Sequence, residues 1–211
     1  SLSFYQRKEI KDLLAYFRLT VNPRDDESLR RIINYPLRGI GDTTLSKLSG
    51  YAEKLDTSIW DILVHLEQVN LDFNRGILAK LKSFVRMIQG FQQRLNDMEA
   101  FDLAWIIATE SGIISDLKSE QTPENISRAE NVEELLNGIK EYTESEMTGE
   151  EVSGTRTLGD YLQEVTLMTD ADQDTEEDRN KVSIMTIHSA KGLEFKHLVI
   201  AGVEEELSLI H

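Results

Sequence analysis

Residues 4–21 read FYQRKEIKDLLAYFRLTV, and their apolar side chains recur every three or four positions. This spacing is typical of an amphipathic helix with one buried face. The members of that face are Ile10, Leu13, Leu14, Phe17 and Val21. We expect Asn22-Pro23 to end the helix, because proline disfavours α-helical geometry in the residue before it. The stretch therefore predicts a buried helix near the start of the chain.

Helical spacing of apolar residues continues along the chain to residue 168. Gly112 suits the left-handed position that ends a helix, and Thr122-Pro123 suits the N-cap and first position of the next one. Trp60 and Trp105 fall on apolar faces, so we expect both in the core. The predicted helices cover residues 29–33, 45–55, 58–69, 74–95, 102–110, 122–142 and 158–168.

The pattern changes after residue 169. Residues 170–178 hold six acids in nine positions, which indicates a solvated linker. Residues 182–187 then alternate in polarity as a strand does, and residues 198–201 form a short apolar run typical of a buried parallel strand. The fold class predicted is mainly α, a multi-helical body with a small α/β portion. The first helix can pack with these strands, the helical body being inserted between them.

The composition limits the function classes. The chain has 211 residues, a net charge of −15 and no cysteine, which excludes disulfides, thiolate metal sites and a cysteine nucleophile. No apolar run approaches the roughly 20 residues of a membrane span, so we expect a cytoplasmic protein with no membrane partner, cut from a longer one. Residues 1–95 carry a net +4 and residues 96–211 a net −19. Nucleic acid is not excluded, but we expect its binding to be confined to a small patch and to weaken quickly with salt.

A polar segment joins the two predicted strands. Residues 186–195 read TIHSAKGLEF, and ligands of α/β sheets gather at such strand-to-loop edges. Its His, Lys and Glu suit a phosphate, a ribose hydroxyl or a nucleic-acid backbone. From composition alone, an ordinary polar turn between strands is the alternative, and the more frequent one.

A second candidate site precedes the helix predicted over residues 45–55. A Gly-x-Gly turn before a helix exposes backbone N–H groups whose dipoles favour a phosphate. The segment comprises Arg38, Gly39, Ile40, Gly41, Asp42, Thr43 and Thr44, with Lys47 one turn further on. The threonines offer hydroxyls and Lys47 adds charge. The alternative is an ordinary turn in which Asp42 caps the helix, and the acid counts against a phosphate unless its side chain turns inward.

Three other polar groups have weaker functional claims. The basic residues 75, 80, 82 and 86 share one long helix and indicate a solvated surface more than a binding site. Residues 128, 130 and 131 suggest a structural polar network. His65 has no neighbouring ligand partner, so we expect no metal site there.

These residues also resemble those of a known family. TIHSAKGLEF resembles motif V of the UvrD/PcrA/Rep-type superfamily 1 DNA helicases, and FYQRKEIKD, Arg38-Gly39-Ile40-Gly41, residues 127–131 and the acidic run match the same family in the same order. The resemblance implies that residues 1–22 and 180–211 are parts of the second RecA-like domain. It implies that residues 23–179 are the helical subdomain inserted into that domain, with a helix–hairpin–helix-like element.

The resemblance also implies an activity and its site residues. The family couples ATP hydrolysis to translocation on single-stranded DNA and to duplex unwinding. Gly192, Glu194 and Lys191 would then face the nucleotide, with the DNA strand as the alternative for Lys191. Thr186, His188 and Ser189 would approach single-stranded DNA. The turn residues Arg38, Gly39, Ile40, Gly41, Thr43, Thr44 and Lys47 would contact the duplex backbone without reading bases.

The chain does not contain every part of such an enzyme. No G-x-x-x-x-G-K-[ST] phosphate loop occurs in it. We therefore expect ATP and Mg²⁺ to act in the full-length protein, with no cofactor bound to this chain and no ATP hydrolysis by it alone. Repair or replication proteins are further implied partners. Two alternatives remain: a RecB/AddA-type helicase–nuclease subunit, and a non-catalytic acidic helical interaction module, which leaves the motif V match unexplained.

Overall fold

The computed structural model describes residues 2–145 and 154–173. The chain divides into two units, residues 1–173 and 174–211, and every described residue belongs to the first. Within the described ranges the regular structure is helical, which confirms the mainly α prediction. Its helices are α1 (Leu2–Tyr5), α2 (Lys8–Val21), α3 (Asp26–Ile32), α4 (Asp42–Lys54), α5 (Ile59–Val64), α6 (Arg75–Arg94), α7 (Ala100–Glu110), α8 (Ile113–Ser119), α9 (Pro123–Glu144) and α10 (Leu158–Gln173). The predicted strands and the motif at residues 186–195 lie outside the described residues.

Helix α2 lies at the centre of the described unit. It packs against α3, α6, α7, α9 and α10, and Ile10, Leu13 and Phe17 on its predicted face are fully buried. Val21, at the end of that face, is 41% exposed. Burying this face supplies the hydrophobic stabilisation that an isolated helix of this length lacks in water. The domain boundary predicted after residue 22 stays a prediction.

The first predicted helix is interrupted. The structure has two helices where one was predicted, because Arg7 adopts an extended backbone conformation at the N-cap of α2. The Arg7 guanidinium donates to Asn131 Oδ1 on α9 at 2.5 Å and lies 5.3 Å from the centre of the Phe4 ring. These tertiary contacts accompany a break that helical periodicity alone does not predict.

Several helix boundaries follow the predicted signals. Thr122 caps α9 by accepting from the Asn125 N–H at 3.1 Å, and Pro123 is the first helical residue. Gly112 has a φ of 90° at the end of α7, as expected of a left-handed C-terminal residue. The same glycine is the N-cap of α8, a short helix that the sequence did not predict.

Two helix boundaries differ from the prediction. Helix α5 is shorter than predicted and ends at Val64, and turns at His65 replace helix up to residue 69. Helix α10 is longer and ends at Gln173, so the first residues of the predicted acidic linker are helical. The rest of that linker lies outside the described residues.

One of the two tryptophans was misplaced. Trp60 is buried as predicted, but Trp105 is 51% exposed and lies beside Phe101, with ring centres 6.5 Å apart. Helix α7 is apolar around most of its circumference, so its sequence does not show which side faces the core. Ala104 and Ile107 occupy the buried side instead.

The polar network predicted at residues 128–131 forms around one residue. Asn131 donates to the buried Glu9 carboxylate at 2.6 Å and so joins α9 to α2. Arg128 instead pairs with Glu124 on its own helix at 2.5 Å, and Glu130 is exposed.

No helix in the described ranges is long and apolar enough to span a bilayer.

Candidate nucleic-acid interface

The Gly-x-Gly turn leads directly into α4. Gly39 has a φ of 75°, a conformation that glycine adopts without the steric cost of a Cβ. Gly41 is the N-cap of α4, has an extended backbone conformation and supplies no capping side chain. The turn therefore ends in an uncapped helix start, as the phosphate-binding prediction requires.

The first N–H groups of α4 have no acceptor in the described part of the chain. The first bond of the helix runs from the Leu45 N–H to the Gly41 carbonyl at 3.1 Å. The N–H groups of Asp42, Thr43 and Thr44 precede it, and no described group accepts from them. Such donors carry the positive end of the helix dipole. They can bind an anionic oxygen from outside the protein.

The predicted contact residues divide by exposure. Gly41, Thr43 and Lys47 are exposed. Ile40 and Thr44 are buried, at 1% and 8% exposure, so their side chains do not face an external ligand. Ile40 instead anchors the turn in the core.

Two lysines flank this helix start. Lys47 lies on α4, and its Nζ is 3.4 Å from the Asp72 carbonyl oxygen. Lys80 comes from α6 and approaches the turn so closely that a Cβ added to Gly39 would lie 2.5 Å from its Nζ. Within the described ranges neither ammonium group pairs with a carboxylate, whereas Lys82 pairs with Glu67 at 2.8 Å. Both charges thus remain available to an anion.

An acidic residue lies at the same place. Asp42 is exposed, so its side chain does not turn inward, and it accepts no hydrogen bond from any described group. Its carboxylate suits the helix dipole but repels a phosphate. Gly41, not Asp42, is the N-cap, which differs from the capped-turn alternative. The site therefore combines two lysines with one opposing charge.

Arg38 points away from the exposed side of the turn. Its Nη1 donates to the carbonyls of Ile32 at 2.9 Å and Tyr35 at 3.1 Å. Its Nη2 donates to the Ser111 carbonyl at 2.9 Å and to the Tyr16 hydroxyl at 2.5 Å. The sequence predicted that Arg38 contacts the duplex, whereas in the structure its guanidinium donates to acceptors within the protein.

Two residues that sequence reasoning missed support the turn from within. The side-chain oxygen of Asn34 accepts from the N–H groups of Arg38 and Ile40, both at 3.0 Å. Tyr16 is fully buried on α2, and its hydroxyl donates to the Tyr35 carbonyl. Burial raises the pKa of Tyr16 to about 12, although the Arg38 charge and hydrogen bond act in the opposite direction. Tyr16 is therefore a neutral hydroxyl at physiological pH.

Lys80 was predicted only as part of a solvated basic surface. Nothing in the local sequence links it to Gly39, because the two residues meet only when α6 packs beside the turn. Arg75, Lys82 and Arg86 remain on the exposed surface of α6.

In the described ranges no group of three His, Asp or Glu side chains could hold a metal ion. His65 Nδ1 lies 2.8 Å from the Asp61 carbonyl oxygen.

The chain matches a known domain family over nearly its whole length. The UvrD-like helicase C-terminal domain matches residues 1–208. The chain belongs to this family. The match includes both the Gly39–Gly41 turn and residues 186–195, which lie outside the described residues.

The relatives extend the comparison to whole proteins. The ATP-dependent DNA helicase PcrA of Staphylococcus epidermidis is 38% identical over 205 residues, which are 97% of this chain and 27% of that protein. The ATP-dependent DNA helicase PcrA of Staphylococcus aureus is 37% identical over 205 residues, with the same shares. The chain therefore spans about a quarter of the length of these curated relatives.

Proposed function

We propose that the chain is part of an ATP-dependent DNA helicase that translocates on single-stranded DNA and unwinds duplex. Its family membership and the PcrA relatives support this function. Within it, the described helical unit binds the duplex backbone through the start of α4. The observation that carries this role is the uncapped, exposed helix start flanked by Lys47 and Lys80.

The proposed contact is electrostatic and independent of sequence. A phosphate oxygen would accept from the free N–H groups of α4, and the Thr43 hydroxyl would donate to the same group. Lys47 and Lys80 would neutralise neighbouring phosphates as point charges. Because these donors would bind phosphates and not base edges, the contact would position the duplex without selecting a sequence.

Residues 186–195 are proposed for the motor function. Gly192, Glu194 and Lys191 would bind ATP, and Thr186, His188 and Ser189 would contact single-stranded DNA. The phosphate loop that holds ATP in such enzymes is absent from the sequence. ATP and Mg²⁺ would therefore be held mainly by other parts of a longer protein. In that protein, Glu194→Ala should lower ATP turnover more than DNA affinity, and the reverse ranking would assign Glu194 to DNA.

Salt dependence of duplex binding tests the duplex contact in the 211-residue chain. Each phosphate neutralised contributes roughly −0.9 to the slope of log K against log salt. Lys47→Ala and Lys80→Ala should each make this negative slope shallower by about 0.9. The change should be the same for unrelated duplex sequences. Lys118→Ala removes the same charge from an exposed position on α8 and is the matched control.

The outcome is unambiguous for this site. A shallower slope in both Lys47→Ala and Lys80→Ala, with an unchanged slope in Lys118→Ala, supports the duplex contact. If all three variants keep the slope of the unsubstituted chain, the duplex contact is wrong, whatever the activity of the longer protein.

A further inference from the structure

The guanidinium of Arg38 has almost no capacity left for a ligand. A guanidinium carries five N–H donors in a fixed plane. Four of them are directed at protein acceptors: the carbonyls of Ile32, Tyr35 and Ser111 and the hydroxyl of Tyr16. The remaining N–H cannot form the two-pronged contact by which arginine binds phosphate. Arg38 is thus poorly placed to touch DNA.

Its partners come from three different parts of the unit. Ile32 and Tyr35 lie at the end of α3 and just beyond it, Ser111 follows α7, and Tyr16 lies on α2. The plane of the guanidinium also lies near the Phe84 ring of α6, at 5.5 Å from Cζ to the ring centre. Arg38 therefore fixes the turn to the same elements that form the core.

Tyr16 completes this connection from the central helix. It has no exposed surface, so it cannot contact DNA in the folded unit. Its hydroxyl accepts from Arg38 and donates to the Tyr35 carbonyl. One hydroxyl on α2 therefore binds two residues of the segment that leads into the turn. Asn34 then fixes the turn itself through the N–H groups of Arg38 and Ile40.

We propose that Arg38 and Tyr16 are positioning residues for duplex binding. They hold the Gly39–Gly41 turn against α2 and α7, so that the free N–H groups of α4 meet Lys47 and Lys80 at one place. This inference rests on the proposed duplex contact. It assigns to Arg38 an indirect role where the sequence suggests a direct one.

The geometry requires arginine and not merely a positive charge. Lysine carries three donors on one nitrogen, which cannot reach acceptors on opposite sides of the turn as the planar fork does. Arg38→Lys keeps the charge and removes the fork. Tyr16→Phe keeps the buried ring and removes one hydroxyl. A direct phosphate contact by Arg38 would survive Tyr16→Phe, because the guanidinium is unchanged, whereas positioning through the Tyr16 hydroxyl would not.

The test measures duplex affinity and salt slope of the 211-residue chain, with the unfolding free energy of each variant from urea titration. Tyr16→Phe should weaken duplex binding by roughly 2- to 10-fold, the range that one net hydrogen bond gives. Arg38→Lys should weaken it more. Both should keep the wild-type salt slope, because Lys47 and Lys80 remain, when measured where each variant is fully folded.

The control separates positioning from general destabilisation. Tyr161→Phe removes the hydroxyl of another buried tyrosine, on α10, and should leave duplex affinity unchanged even if it lowers stability. Wild-type affinity in Arg38→Lys, or equal losses in Tyr16→Phe and Tyr161→Phe, would overturn the inference. If Tyr16→Phe does not fold, the Arg38→Lys result decides.

The Lys47→Ala variant in the same assay shows which proposal has failed. If it does not change the salt slope, the duplex contact itself is wrong. If it does, and Arg38→Lys and Tyr16→Phe bind as wild type does, only the positioning role is wrong.

Discussion

Helices α4 and α9 both begin at an exposed position with an acid in the first turn. They differ in whether a side chain accepts from their first N–H groups. At α9, Thr122 accepts one N–H, Pro123 has none to offer, and Glu124 is paired with Arg128. At α4, Gly41 provides no cap and Asp42 has no cationic partner in the described ranges. At the start of α9 only the Glu124 N–H is left without an acceptor in the described ranges, whereas at the start of α4 the N–H groups of Asp42, Thr43 and Thr44 are all left for an external acceptor.

The difference separates a structural helix start from a candidate binding site. A capped start gains stability from its own side chain. An uncapped start with nearby lysines gives up that stabilisation and keeps its donors for an anion. Substitutions at the start of α9 should therefore change stability alone, and substitutions at the start of α4 should change duplex binding as well.

The largest expected effect follows Gly39→Ala. The positive φ of Gly39 is unfavourable for alanine by about 1–2 kcal/mol, and the new Cβ would displace the Lys80 ammonium group. We expect a loss of unfolding free energy of that size in urea titration, together with weaker duplex binding. Gly50→Ala is the matched control within α4, where a Cβ meets nothing within 4 Å. It should instead raise stability by about 0.5–1 kcal/mol.

A stable Gly39→Ala variant with unchanged duplex binding would contradict the role of the turn. It would mean that the left-handed conformation is dispensable and that Lys80 does not need its place beside Gly39.

The next effect concerns the capped helix. Thr122→Ala should lower the unfolding free energy by about 1 kcal/mol, the usual value of an N-cap, and leave duplex affinity unchanged. Thr109→Ala is the control, because Thr109 is exposed near the end of α7 and caps no helix start. It should change stability by less than about 0.5 kcal/mol. A loss of duplex affinity in Thr122→Ala would remove the distinction between the two helix starts.

Local signals in the sequence predicted the parts of the fold that depend on neighbours along the chain. The face of α2, the cap at Thr122 and the left-handed Gly112 all follow from short spacings and from backbone preferences. The break at Arg7 does not, because its partner Asn131 lies on another helix. Trp105 could not be placed either, since α7 is apolar on more than one side.

The same limit applies to the candidate site. The Gly-x-Gly turn and Lys47 were visible because they are close in sequence. Lys80 and Tyr16 were not, because packing of α6 and α2 brings them to the turn. The inward direction of Arg38 also required the structure, since an arginine beside glycines suggests a phosphate contact until its acceptors are known.

The smallest expected effect tests the acid at each helix start. Asp42→Asn removes the charge that opposes phosphate and should strengthen duplex binding by about 2- to 5-fold, because one charge pair near 4 Å in water is worth roughly 1 kcal/mol or less. The same change should lower stability slightly, since Asp42 also interacts favourably with the helix dipole. Affinity and stability should therefore move in opposite directions, which general unfolding cannot produce.

Glu124→Gln is the matched change at α9. It removes an acid from the first helical turn and breaks the pair with Arg128, so we expect a stability loss of about 0.3–0.5 kcal/mol and no change in duplex affinity. Both variants gain the same net charge. Equal increases in affinity would therefore mean that duplex binding responds to the overall charge of the chain, and only a gain confined to Asp42→Asn places the phosphate at the start of α4.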